Sequence, residues 1–175
     1  MKKVASRSAQ YPLFAEFVIN FNEYVIDSVS QVKKTFGSAV AVDGNSNPLD
    51  PITGSVEAGL TAGTAVTFDC IPLPVGAVIV GGEVIVETAF VGIGVGATLG
   101  LGTAASAAAL LSAFDLDAAA AGSRTALLLT APLVGNAGQN IRLTTAGLTA
   151  TATAGKARIR VQYTIDGRSS EVQVS

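Results

Sequence analysis

Between residues 77 and 90 the chain reads Ala-Val-Ile-Val-Gly-Gly-Glu-Val-Ile-Val-Glu-Thr-Ala-Phe, an apolar run built around a glycine pair. β-Branched side chains at this density suit a pleated strand and lose rotamer freedom in a helix. Val78, Val80, Val84 and Val86 alternate around Gly81-Gly82, where two missing side chains predict a bulge or sharp bend. Such a bend would let one strand serve two sheets. This is the strongest strand signal in the chain, and it directs the whole reading towards β structure.

The two-residue period recurs on both sides. Phe17, Ile19 and Phe21 alternate with Val18, Asn20 and Asn22, and Val25, Asp27 and Val29 oppose Ile26 and Ser28, a pattern for a strand pair or one bent strand. Residues 66–71 predict a short strand stopped by Pro72-Leu73-Pro74, and residues 97–101, 124–130, 140–145 and 156–165 predict others. In the last, Ala157, Ile159, Val161, Tyr163 and Ile165 face one way and Arg158, Arg160, Gln162 and Thr164 the other, so it is half-buried. Asp166-Gly167, followed by residues 171–174, reads as a tight hairpin. The alanine-rich residues 104–113 predict one short helix. Seven to nine short strands with regular turn signals predict an all-β fold, an antiparallel jelly-roll-like β-sandwich with one short helix. An open mixed α+β fold is the alternative.

A chain of 175 residues fits one domain. Residues 1–14, polar at first, read as an extended N-terminal arm, and residues 15–175 as a single sandwich domain. Its long loop at 43–63 is marked by Gly44, Asn45, Asn47, Pro48, Asp50, Pro51, Gly54 and Gly59. Arm and loop are the expected contact elements. Within them Arg7, Tyr11, Phe14, Asn47, Pro48 and Pro51 are the candidate subunit-contact residues.

Composition narrows the function. With 29 Ala and 19 Gly the chain carries little side-chain volume, which predicts a thin core, and its 14% of charged residues would leave a lone monomer weakly repelling. Both favour assembly. The charges are segregated, because residues 35–123 hold eight acids and no Lys or Arg while both flanks are basic. The basic residues form isolated short clusters, unlike the continuous basic face of a nucleic-acid binder. Residues 88–114 are uncharged and long enough to span a bilayer, yet they are Gly- and Ala-rich with no basic flank or aromatic belts, so no membrane partner is expected. The N-terminus lacks the apolar core of a signal peptide, which predicts synthesis in the cytoplasm.

Catalysis finds little support. His is absent, and with it the usual base of a serine or cysteine nucleophile and the commonest transition-metal ligand. Cys70, the sole cysteine, reads as a small buried hydrophobe. Glu83 with Glu87, or Asp115 with Asp117, have the form of paired carboxylates, but a solvated strand edge explains them equally well. Oxygen ligands gather at Asp115/Asp117 and between Asp43 and Asp50, with spacing that matches no EF-hand loop. Gly100-Leu101-Gly102-Thr103-Ala104-Ala105 satisfies a loosened dinucleotide fingerprint but lacks the second strand and its acid. No catalytic residue, cofactor or metal is therefore expected.

Leu73-Pro74-Val75-Gly76-Ala77 leads into the long strand to Phe90, and Ala157-Arg158-Ile159-Arg160-Val161-Gln162-Tyr163-Thr164-Ile165-Asp166-Gly167-Arg168 closes the chain's patterned part. With a Gly-punctuated middle strand and a short Ala/Leu helix ending in Asp-Leu, this order resembles tailed-bacteriophage capsid decoration, or cement, proteins over residues 65–170. The resemblance implies a jelly roll that forms dimers or trimers on the outer capsid surface and clamps the major capsid protein lattice. A tail, fibre or surface carbohydrate-binding β-sandwich module is the alternative. An aromatic content of 6% without Trp weighs against sugar stacking.

Overall fold

The computed structural model describes residues 12–36, 40–129, 140–149 and 152–165. They form eleven strands and, among the described residues, no helix. The strands are β1 (Leu13–Asn20), β2 (Tyr24–Ile26), β3 (Lys33–Thr35), β4 (Leu60–Thr61), β5 (Val66–Pro72), β6 (Ala77–Val91), β7 (Thr98–Gly102), β8 (Leu111–Asp115), β9 (Arg124–Ala126), β10 (Asn140–Ala146) and β11 (Ala154–Ile165). Eight of them build two four-stranded antiparallel sheets, ordered β1-β11-β6-β9 and β5-β10-β7-β8. The other three, β2-β3-β4, make a small sheet within the connection from β1 to β5, with β3 and β4 parallel.

The pairing in the two large sheets is nested. Of the eight strands the first pairs with the last (β1 with β11), the second with the seventh (β5 with β10), the third with the sixth (β6 with β9) and the fourth with the fifth (β7 with β8). This is one antiparallel ribbon whose successive pairs fall in alternate sheets, the winding of a jelly roll. Strand directions then place the β1–β5, β6–β7, β8–β9 and β10–β11 connections at one end of the sandwich, here termed the insertion end. Hydrogen bonds join these connections, from Leu148 N–H to the Thr64 carbonyl at 3.1 Å, Thr149 to Ile93 at 3.1 Å and Leu116 to Ala97 at 2.9 Å. The β5–β6, β7–β8 and β9–β10 connections lie at the opposite end.

The core is the space between the two large sheets. On β11 Ala157, Ile159 and Val161 are fully buried, and they face Leu99, Leu101, Ile141 and Leu143, also fully buried, from the second sheet. Burying a side chain such as Ile159 or Leu143 contributes roughly 2–3 kcal/mol. Phe68 of β5 meets Phe17 at 5.5 Å and Phe36 at 5.4 Å between ring centroids. The expectation of a thin core fails, because among the described residues only four alanines, Ala77, Ala97, Ala152 and Ala157, are buried. Most of the other described alanines lie in exposed turns and loops such as residues 104–108. Alanine's small volume therefore costs the surface, and the interior is filled by Ile, Leu, Val and Phe.

The bulge foreseen in β6 is present. Register with β11 shifts between Gln162 and Tyr163, so Val80 has no opposite residue. The extra residue exchanges the faces of the strand. Ala77 and Ile79 point inward before it, and Val84 and Val86 after it. At Gly82 (φ +149) a Cβ would meet the Arg160 carbonyl oxygen at 2.5 Å and the Leu127 side chain at 2.6 Å, so only glycine fits. The bulge does not carry β6 into a second sheet, because its partners β11 and β9 both belong to one sheet.

The expected helix at 104–113 is also absent. Thr103 N–H bonds the Ser106 carbonyl at 2.8 Å, Leu110 N–H bonds the Leu101 carbonyl at 2.9 Å, and the chain turns back as β8 beside β7. Gly102 admits this turn, since a Cβ there would sit 2.0 Å from the Ser106 carbonyl oxygen. A helix this short is marginal alone. The hairpin instead buries Leu110 and Leu111 in the sandwich, at 0% and 4% exposure. Residues 88–114 are thus strand and turn, and among the described residues no helix is long and apolar enough to cross a membrane.

Candidate interaction surface

The outer face of the β1-β11-β6-β9 sheet carries a ladder of opposite charges set by register. Glu16 lies opposite Arg160, which lies opposite Glu83. Glu16 receives Arg160 at 2.6 Å and Arg158 at 3.0 Å, Glu87 receives Arg158 at 2.6 Å and Lys156 at 2.9 Å, and Arg124 reaches Glu83 at 3.3 Å. Hydrogen bonds from Arg160 and Arg158 hold the Glu16 carboxyl below its ordinary range, and those from Lys156 and Arg158 do the same for Glu87. Glu87 is thereby held as a carboxylate between two cations. On the second sheet Arg142 pairs with Asp69 at 2.9 Å and holds its carboxyl low.

The insertion between β1 and β5 is organised by acids. Asp27 is 2% exposed, and its carboxylate accepts the Ser30 hydroxyl at 2.6 Å, Ser30 N–H at 3.0 Å, Lys34 Nζ at 2.9 Å and Thr67 N–H at 2.8 Å. Burial pushes the carboxyl up, but those bonds together hold it far below the usual range. The Thr67 bond ties the insertion to β5. Asp43 and Asp50 each fold a turn, accepting N–H groups of Asn45 and Asn47, and of Ile52 and Thr53, at 2.7–2.8 Å. Lys33 pairs with Glu57.

The residues expected to make subunit contacts do not form one cluster. Arg7 and Tyr11 lie outside the described residues, as do the Asp166-Gly167 hairpin and residues 171–174. Phe14 is 57% exposed near the start of β1, opposite Gln162. Asn47, Pro48 and Pro51 belong to the insertion beyond the other end of β1, with roughly 20 Å of strand between. Asn47 is exposed and donates to Asp43 at 3.0 Å, Pro48 bridges to Val42, and Pro51 is half-buried.

Residue-by-residue reading missed the exposed apolar side chains of the insertion end. Val29 is 77% exposed, Ile52 60%, Ile26 58% and Val95 92%. Their legible signal was an apolar residue set among turn formers, as in Gly94-Val95-Gly96. Cys70 behaves as expected. Burial pushes its thiol up to about 12, and it donates to the Ile141 carbonyl at 3.3 Å. A core void of about 10 Å³ near Phe36, Phe90 and Leu99 has room for no more than a water molecule. Among the described residues no group of three or more Cys, Asp and Glu could hold a metal ion.

These features define an antiparallel jelly-roll sandwich with an inserted small sheet and a ladder of opposite charges on one outer face. A chain of the cyanophage Pam1 capsid asymmetric unit has a similar fold, with a TM-score of 0.55 and 17% identity, over 93% of this chain and 92% of that one. No family model matches the sequence. No curated protein matches it either.

Proposed function

We propose that this chain is a non-catalytic structural protein of a phage virion, which binds the outside of the capsid and stabilises the major capsid protein lattice. The observation that carries the reading is the end-to-end likeness to a chain of a phage capsid asymmetric unit. The sequence resemblance to decoration proteins over residues 65–170 supports it independently. So does the paucity of charge, which suits a chain that covers part of its surface with neighbours. Self-association as dimers or trimers would place several copies of the contact surface on the lattice at once, and avidity would then multiply a weak single contact. Synthesis in the host cytoplasm and addition to the outer shell complete the proposal.

The test adds purified chain to expanded, empty capsids assembled without it. Saturation at a fixed ratio per capsid subunit, with rupture of the decorated capsids at a higher temperature, is the expected result. No association, together with retention on an immobilised glycan, would replace the reading with a carbohydrate-binding module of the same fold.

A further inference from the structure

Charge compensation is uneven in one respect. Of the eleven Lys and Arg in the chain, Lys2, Lys3, Arg7 and Arg168 lie outside the described residues, and each of the others is in an ion pair. Asp166 and Glu171 are likewise outside, and six of the remaining acids take up those cations. Among the described residues this leaves Glu23, Asp43, Asp50, Asp115 and Asp117 without a Lys or Arg partner. All five belong to the insertion end, in the β1–β5 connection or where β8 passes into the β8–β9 connection. The same end exposes Val29, Ile52 and Val95. The opposite end also exposes apolar groups, among them Val75 and Leu128 at 66% and 53%, without uncompensated carboxylates among the described residues.

We infer that the insertion end is the docking surface, and that its partner is an apolar protein surface bearing Lys or Arg. The inference rests on the capsid reading above and names which end of the chain meets the shell and what chemistry it meets there. Exposed valines supply apolar burial, and the exposed carboxylates of Asp115 and Asp117, which have no Lys or Arg partner among the described residues, supply complementarity towards cations and repulsion towards phosphate, which excludes a nucleic-acid backbone as the occupant. The charge-ladder face, whose groups already satisfy one another, is left to solvent.

Three double variants of the full chain are compared with the unsubstituted chain in titrations onto expanded empty capsids. Each is first checked for an unchanged unfolding midpoint. V29S/V95S should weaken binding about tenfold, as loss of a central apolar contact does. D115N/D117N should weaken it at low salt and have no effect at high salt, where screening has already removed the attraction. V75S/L128S, at the opposite end, should bind as the unsubstituted chain does. Loss of binding by V75S/L128S with none by the other two overturns the inference and leaves the capsid reading intact. Failure of the unsubstituted chain to bind overturns the capsid reading, and this inference with it.

Discussion

Asp27 keeps its charge while only 2% exposed, because four donors converge on its carboxylate. Removing it leaves the Ser30 and Thr67 N–H groups without their acceptor in a closed site and Lys34, which keeps the Ala65 carbonyl at 3.2 Å, without its counter-ion. Asp27→Ala should therefore cost about 3 kcal/mol in urea unfolding, within the range for breaking a buried charge network. The native carboxyl lies below its ordinary value, so the folded state binds its proton less readily than the unfolded state. Its contribution stands in full above about pH 5 and is lost as pH falls through the ordinary Asp range near 4 and below. Acid should then shrink the stability difference between Asp27→Ala and the unsubstituted chain progressively below about pH 4, and a difference that keeps its full neutral-pH size down to about pH 2 would contradict the assigned role. The sequence showed Asp27 only as a polar member of an alternating run. The run Asp27-Ser28-Val29-Ser30 also fits a side-chain-capped turn, but the bond to Thr67 joins residues 40 apart, and no local pattern encodes it.

At the level of elements, strands whose period was unbroken were legible, and their partners were not. β5, β6, β10 and β11 fall close to where alternation places them. The β6 bulge was legible from Gly81-Gly82, although its effect on which valines face inward needed the register with β11. The helix at 104–113 was misread because propensity favours Ala while tertiary packing favours burying Leu110 and Leu111 beside β7. A substitution separates the two forces. Within a helix Ala105→Gly would cost about 1 kcal/mol, whereas in the observed exposed turn it should change stability by less than about 0.5 kcal/mol. Chemical denaturation of this single variant reads the difference, and a loss of the helical size would restore the helix.

For the whole molecule, the acid-only stretch at 35–123 was visible in the sequence, but its division into compensated and uncompensated carboxylates was not. That division depends on Lys33, Arg124 and Arg142, and on Lys156, Arg158 and Arg160 of β11, reaching Glu57, Asp69, Glu83 and Glu87 from other parts of the chain. The same long-range economy bears on whether residues 15–175 unfold as one unit. Phe36, from the insertion, is 3% exposed and packs its ring against Phe68 of β5, while Asp27 bonds β5 at Thr67. A small three-stranded sheet would be marginal alone, so its stability should come from these joins. The chain has three Tyr and no Trp, which makes tyrosine fluorescence a local reporter. With Tyr11→Phe and Tyr163→Phe, only Tyr24 in the insertion reports, and with Tyr11→Phe and Tyr24→Phe, only Tyr163 in the sandwich reports. Both should give the same urea midpoint, as a cooperative unit requires. An earlier transition at Tyr24 would make the insertion a separately melting unit, held to the sandwich too weakly for Phe36 and Asp27 to couple them.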